Sequence, residues 1–170
     1  INKMLKGAAT PDAEAEVICR MMERDDAGMV FHGMSEEDIH TFMQYPFNMF
    51  ASDASIRIFG RGVPHPRGYG TNARVLGHYV RQKKVIGLEE AIRRMTSLPA
   101  QRFGLKDRGL VREGMIADLV IFDEKQVEDA STFEKPHQYS KGFSWVMVNG
   151  VITLAAGQHT GARQGEVLYR

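Results

Sequence analysis

The stretch "SEEDIHTFMQYPFNMFASD", Ser35 to Asp53, joins a helix pattern to a strand pattern within one short segment. Ser35 precedes three acidic residues, which is typical of a helix N-cap, and Pro46 cannot continue a helix. The apolar run "FNMFAS" that follows predicts a buried strand. The segment therefore predicts a helix followed directly by a strand, with Asp53 at the carboxyl end of that strand.

The same alternation is found on the N-terminal side of this segment. "TPDAEAEVICRMMERDD" predicts a helix with Thr10 as N-cap and Pro11 at the first helical position. "AGMVFHGM" is a short apolar run bounded by glycines and predicts a second buried strand. Amphipathic helices alternating with nearly continuous apolar strands favour an α/β fold, in which helices cover a parallel sheet.

The residue composition and pattern change on the C-terminal side of Asp53. "ASIRIFGRGVPHPRGYG" is a long loop rich in glycine and proline, and such loops are often functional. Two helix patterns follow, the first capped by Thr71 and the second broken at Pro99. After Leu105 the chain is rich in strand patterns, with a hairpin signal at Asn149-Gly150 and a terminal strand candidate, "GEVLYR". We therefore expect an α/β unit over residues 1–105 and a β unit over residues 106–170.

Composition narrows the classes of function. The formal net charge is +1 and the basic residues are scattered, so the sequence gives no reason to expect a nucleic acid or a membrane as partner. No window contains the run of about 18 apolar residues that a membrane span requires. Cys19 is the single cysteine, which excludes an intrachain disulfide and favours a reducing, cytoplasmic compartment. No histidine pair has the spacing of a metal motif.

A C-terminal signature and three further motifs upstream of it resemble a known family. "MTSLPAQRFGLKDRGLVREGMIADLVIFD", Met95 to Asp123, resembles the C-terminal signature of the amidohydrolase superfamily. "FHGMSEEDI", "ASDASI" and "GRGVPHPRGYGTNARVLG" are similar to its N-acyl-D-amino-acid deacylase (D-aminoacylase) branch. The resemblance implies the C-terminal part of a metal-dependent (β/α)8 barrel, followed by strands of a small β-sandwich. "FNMFAS" would then be the last strand of the barrel.

Asp53 is the leading catalytic candidate. Its local sequence leaves two interpretations open, a turn or cap residue and a catalytic acid at the end of a strand. The resemblance implies the second, with Asp53 as general acid/base on a metal-bound water that hydrolyses N-acyl-D-amino acids to a carboxylate and a D-amino acid. It also implies a zinc cofactor whose ligands lie upstream of Ile1. We therefore expect this chain to hold no metal by itself, to be inactive alone, and to need the missing N-terminal barrel portion or another chain as partner.

Four further residues are candidates for binding the small-molecule N-acyl amino acid. The resemblance implies that Phe31 and Met34 line the pocket for the substrate side chain, although both also suit a barrel core. His65 and Arg67 lie in the glycine- and proline-rich loop, where Arg67 could pair with a substrate carboxylate or merely pack the loop. Two alternative functions remain open: a cyclic-amide hydrolase, of the hydantoinase or dihydroorotase kind, and a non-catalytic truncated fragment.

Overall fold

The computed structural model of this chain describes residues 10–24 and 33–168. The chain divides into two compact units, Ile1–Gly33 and Met34–Arg170. In the first unit, helix α1 spans Pro11–Arg24, and the Thr10 hydroxyl accepts a hydrogen bond from the Ala13 amide at 3.3 Å. The predicted first helix and its cap are thus confirmed. The predicted strand "AGMVFHGM" lies almost entirely outside the described residues.

The second unit contains helices followed by an antiparallel sheet. Its helices are α2 (Glu36–Gln44), α3 (Arg67–Arg74), a π-helix (Val75–Gln82) that continues α3, α4 (Leu88–Met95) and α5 (Ser97–Phe103). Its strands are β1 (Leu119–Phe122), β2 (Phe143–Val148), β3 (Val151–Ala155) and β4 (Gln158–His159), hydrogen-bonded in that order. Helices and strands together support the coarse α/β class, but the described strands pair antiparallel, so the predicted parallel sheet is not found among the described residues. The division at residues 105 and 106 stays a prediction.

The helix boundaries agree with some of the sequence signals and correct others. The Ser35 hydroxyl accepts from the Asp38 amide at 3.1 Å, as a cap of α2 should. Thr71 is not a cap, because α3 already begins at Arg67 and the Thr71 hydroxyl donates to the Arg67 carbonyl at 2.8 Å. The second predicted helix breaks at Thr96 and not at Pro99. Pro99 falls in the first turn of α5, where its missing N–H leaves no hydrogen bond unmade.

The predicted strand at residues 47–52 is wrong. These residues have no strand assignment, and the Phe47 side chain is exposed. The Asn48 side-chain amide instead donates to the Phe42 carbonyl at 3.0 Å, which folds the chain back against the end of α2. Apolar character alone does not make a strand, because backbone pairing needs a neighbour, and the described strands β1 to β4 pair only with one another. The "GEVLYR" strand is also wrong over residues 165–168, which form no strand.

The core of the second unit forms around the π-helix. Val75, Leu76, Tyr79 and Val80 are buried together with residues from α2, α3, α4 and the segment after β1, namely Met43, Ala73, Ala91 and Val127. One charge accompanies them: Arg94 is 2% exposed and donates to the Met43 carbonyl and to Glu90. Hydrogen bonds from Arg93 and Arg94 lower the pKa of Glu90 to about 2. The buried guanidinium is therefore neutralised by a carboxylate that stays ionised at low pH.

Residues 123–142, between β1 and β2, form an excursion that packs on the π-helix. The Arg81 guanidinium donates from Nη1 to the Glu124 carbonyl at 2.8 Å and to the Val127 carbonyl at 2.7 Å. Gly77 faces the same backbone so closely that a Cβ there would lie 2.4 Å from the Val127 carbonyl oxygen. The glycine is therefore required for the approach of two backbones.

The hairpin signal is confirmed. β2 and β3 are joined by Asn149 and Gly150, with φ of 49° and 77°, as a turn between twisted strands requires. Asp118 fixes the turn by accepting from the Asn149 amide at 2.8 Å.

Candidate active site

Asp53 lies in an irregular segment after α2. Its φ of 47° is left-handed, a region that aspartate and asparagine tolerate better than most residues. Its side chain is 87% exposed, and its Oδ2 atom lies 2.9 Å from Nη2 of Arg67. Since Lys84, Asn149 and Ala156 also have positive φ in turns, the backbone conformation alone does not mark a site. The ion pair with Arg67 is the distinguishing contact.

Arg67 and His65 are placed by the start of α3. The Arg67 amide donates to Nδ1 of His65 at 3.0 Å, so the neutral ring carries its proton on Nε2. The His65 ring also meets Phe133 of the excursion edge to face, with centroids 5.0 Å apart. The structure thus brings Asp53 and Arg67 together and places His65 directly beside Arg67.

A cavity of about 380 Å³ lies beside this pair. One wall is the chain on both sides of Asp53, and the other combines the beginning of α3 with the excursion. The lining residues are Ser52, Ala54, Ser55, Ile56, Arg57, Gly68, Tyr69 and Tyr139. Asp53 and Arg67 are sequence neighbours of these residues, and their ion pair joins the two walls. The space is large enough for a small ligand.

Sequence reasoning missed the contribution of the excursion. His137 falls in the β-rich part of the chain, and its position there suggests a place far from any site. In the structure its Nδ1 accepts from the Gly60 amide at 3.1 Å and lies 3.0 Å from the Tyr69 hydroxyl, while Nε2 lies 2.9 Å from the Gly62 carbonyl. Tyr139, two residues on, stacks on Phe59 with centroids 4.8 Å apart. The sequence around Tyr139 does not indicate this contact, because the two rings belong to distant parts of the sequence.

The two other predicted site residues are not brought to the cavity. Phe31 lies outside the described residues. Met34 is described, is 75% exposed and does not line the cavity. Their role in binding a substrate side chain stays a prediction.

The residues of the described ranges do not fit a zinc site by themselves. Within 10–24 and 33–168, no three His, Cys, Asp or Glu side chains are grouped so that they could hold a metal ion. A catalytic zinc normally has about three protein ligands, and the Asp53 carboxylate contacts an arginine. In the same ranges, no helix is long and apolar enough to cross a membrane.

Comparison with known proteins gives a consistent result. The model of the "Amidohydrolase family" matches residues 37–154. The D-aminoacylase of Alcaligenes xylosoxydans xylosoxydans is 40% identical over 148 residues, which cover 87% of this chain and 30% of that protein. A crystal structure of D-aminoacylase, described as defining a novel subset of amidohydrolases, superimposes with a TM-score of 0.76 at 41% identity, over 81% of this chain and 28% of that one.

A second solved structure has a different substrate in its name. It is the N-acyl-D-glutamate deacylase of Bordetella bronchiseptica, complexed with zinc and a phosphonate that mimics the tetrahedral intermediate. It matches with a TM-score of 0.65 at 38% identity, over 74% of this chain and 27% of that one. The chain thus spans less than a third of the length of each of these relatives. Since the family model matches well over half of its residues, this chain belongs to the amidohydrolase family.

Proposed function

We propose that the full-length protein hydrolyses the linear amide bond of N-acyl-D-amino acids and releases a carboxylate and a D-amino acid. The relatives named D-aminoacylase and N-acyl-D-glutamate deacylase support this substrate class. The observation that carries the proposal within this chain is the Asp53 carboxylate, held by Arg67 at 2.9 Å beside a cavity of about 380 Å³. The preference for the D configuration rests on the names of the relatives.

Asp53 acts as the general acid/base in this proposal. Its carboxylate accepts a proton from the attacking water while the new C–O bond forms at the acyl carbon. It then returns that proton to the amide nitrogen as the C–N bond breaks, so that the amine leaves uncharged. Its high exposure suits this role, because the carboxylate can be reached by water and substrate.

Arg67 orients the Asp53 carboxylate and contributes to substrate binding. The contact with Asp53 uses Nη2, and a guanidinium has further N–H groups that suit the carboxylate of an N-acyl amino acid. His65 supports Arg67 by accepting its backbone N–H. Phe31 and Met34 are proposed to line the pocket for the substrate side chain.

The wider architecture belongs to the same proposal. Residues 1–105 would contribute the C-terminal part of a (β/α)8 barrel, and residues 106–170 part of a small β-sandwich. The Bordetella relative binds zinc. Because the described residues do not fit a zinc site, we assign no step of the reaction to a metal held by them, and zinc enters the proposal only through other residues of the full-length protein.

The test compares Asp53→Asn with wild type in the full-length protein. Asparagine keeps the shape and tolerates the positive φ, but it cannot exchange the proton. We expect kcat on N-acetyl-D-methionine or N-acetyl-D-glutamate to fall by about 10²–10⁴-fold, the usual contribution of a general base. Thermal stability should change little, because exposed ion pairs contribute about 0–1 kcal/mol.

Asp129→Asn is the matched control. Asp129 also pairs with an arginine, Arg74, at 3.1 Å, but its sequence neighbours do not line the cavity, whereas Ser52 and Ala54 on either side of Asp53 do. This variant should keep kcat within about twofold. The role of Asp53 is refuted if Asp53→Asn keeps more than a tenth of the wild-type kcat. The substrate class is refuted if the wild-type protein hydrolyses a hydantoin or dihydroorotate and leaves the N-acyl-D-amino acids intact.

A further inference from the structure

We propose that His137 is a positioning residue that fixes the loop carrying His65 and Arg67, and thereby places the Arg67 guanidinium against Asp53. The inference rests on the proposed function, since it assigns a supporting role within the same site. It concerns a residue that belongs to the excursion between β1 and β2, in the other half of the sequence from the catalytic candidate.

The His137 ring makes hydrogen bonds through both of its nitrogens. Nδ1 accepts from the Gly60 amide, so the proton of the neutral ring is on Nε2, which then donates to the Gly62 carbonyl at 2.9 Å. The Tyr69 hydroxyl lies 3.0 Å from Nδ1 and shares the single lone pair of that nitrogen with the Gly60 amide. One half-buried imidazole therefore satisfies two backbone groups of the loop and one side chain of α3.

These contacts fix a part of the loop that contains two glycines with positive φ. Gly60 and Gly62 have φ of 78° and 67°, which only glycine adopts readily, so this part of the loop has little conformational preference of its own. The excursion supplies aromatic contacts to this part of the loop: Phe59 packs on His137 and Tyr139 with centroids 5.6 Å and 4.8 Å away. We infer that the hydrogen bonds of His137 hold the loop in one conformation, which the loop does not enforce by itself.

The loop leads directly to the partner of the catalytic candidate. It enters α3 at Arg67, whose guanidinium contacts Asp53, and Tyr69, in the first turn of α3, lines the cavity. A loop released from His137 would let the start of α3 shift and weaken the contact between Arg67 and Asp53. Displacements of about 1 Å in a catalytic group are costly in rate.

The experiment uses the full-length protein and two substitutions at one position. His137→Phe keeps an aromatic ring against Phe59 and Tyr69 but removes all three hydrogen bonds, whereas His137→Asn keeps a polar acceptor near the place of Nδ1. His159→Phe is the control, because His159 also accepts a backbone N–H, from Gly161 at 2.9 Å, but this bond is local to the end of β4 and does not involve the loop before α3.

The first readout is independent of activity. Hydrogen exchange of the peptide covering residues 58–67 should accelerate by about tenfold in His137→Phe, because the Gly60 amide and the Gly62 carbonyl lose their partner. It should accelerate less in His137→Asn and not at all in His159→Phe. Unchanged exchange in His137→Phe would overturn the inference, whether or not the protein proves to be a deacylase.

The second readout separates positioning from general stability. His137→Phe should lower kcat on N-acetyl-D-methionine by about tenfold, with a smaller loss in His137→Asn. In an Arg67→Ala background the same substitution should have almost no further effect, because the step through Arg67 is already lost. Fully additive losses would overturn the inference. If the wild-type protein turns over no N-acyl-D-amino acid, the proposed function fails, and the exchange result alone decides whether His137 holds the loop.

Discussion

Gly77→Ala is the substitution that tests the packing of the π-helix most directly. The added Cβ would lie 2.4 Å from the Val127 carbonyl oxygen and 3.3 Å from Glu128 Cα. Both are backbone atoms, so neither can rotate away, and the π-helix and the excursion must separate by roughly 1 Å to reach ordinary contact distances. The same separation would stretch the hydrogen bonds from Arg81 to the Glu124 and Val127 carbonyls, which are 2.8 Å and 2.7 Å long.

The magnitude follows from two opposing terms. Overpacking in a filled core costs about 1–3 kcal/mol, and the upper end applies because backbone is involved on both sides. Alanine is better than glycine in a helix by about 1 kcal/mol, which offsets part of that cost. We therefore expect a net loss of about 2 kcal/mol in the free energy of unfolding.

The assay is urea unfolding of the full-length protein, together with hydrogen exchange of the peptide covering residues 124–130. Gly68→Ala provides the control, since it lies in the continuous helix just before, and its Cβ would meet only the Ala54 side chain at 3.5 Å. That variant should be equal to wild type or more stable by up to about 1 kcal/mol. If Gly77→Ala were as stable as Gly68→Ala, the close approach of the two backbones would be wrong.

Two further predictions concern the second unit. The pKa of Glu90 is lowered from 4.5 to about 2, so its ionised form stabilises the fold above pH 4.5, and that contribution is lost as the pH falls from about 4.5 through about 2. Glu90→Gln should therefore lower the urea midpoint at pH 7 and remove this part of the acid dependence of stability. Glu89→Gln, at an exposed position of the same helix, should do neither. Gly142 and Gly161 both have φ near 85°, but a Cβ would lie 2.5 Å from the Val127 backbone only at Gly142. Gly161→Ala should thus cost about 1–2 kcal/mol of stability for its backbone conformation, and Gly142→Ala about 1–3 kcal/mol more. Equal losses of stability by thermal unfolding would contradict this packing.

Several local signals predicted local features of the fold, although Thr71 and Pro99 did not mark the helix boundaries expected of them. Ser35 caps α2 because its hydroxyl needs only the amide three residues on, and Asn149-Gly150 makes the hairpin because its positive φ values are intrinsic to those residues. The strand expected at residues 47–52 is the opposite case. An apolar run states that a segment prefers burial, but whether it pairs depends on a neighbouring strand that the run itself does not encode.

The same distinction between local signals and long-range contacts applies to the candidate site. Asp53 and Arg67 could be named from the sequence because each stands in a motif, and the structure places their charged groups 2.9 Å apart. Their catalytic and binding roles stay predictions. His137 and Tyr139 could not be named, because their role depends on the excursion packing against a loop far away in the sequence, and the residues around them resemble an ordinary polar linker.

The three hydrogen bonds of His137 also have a meaning for the order of folding. They join residues 77, 75 and 68 positions apart, so each requires the closure of a long chain segment before it contributes any stability. Helices such as α3 can form from local contacts at an early stage, whereas the loop before α3 stays unfixed until the excursion has docked. In refolding, helical signal should therefore return before the cavity does, and a partly folded chain can have its secondary structure complete while the wall beside Asp53 is still open.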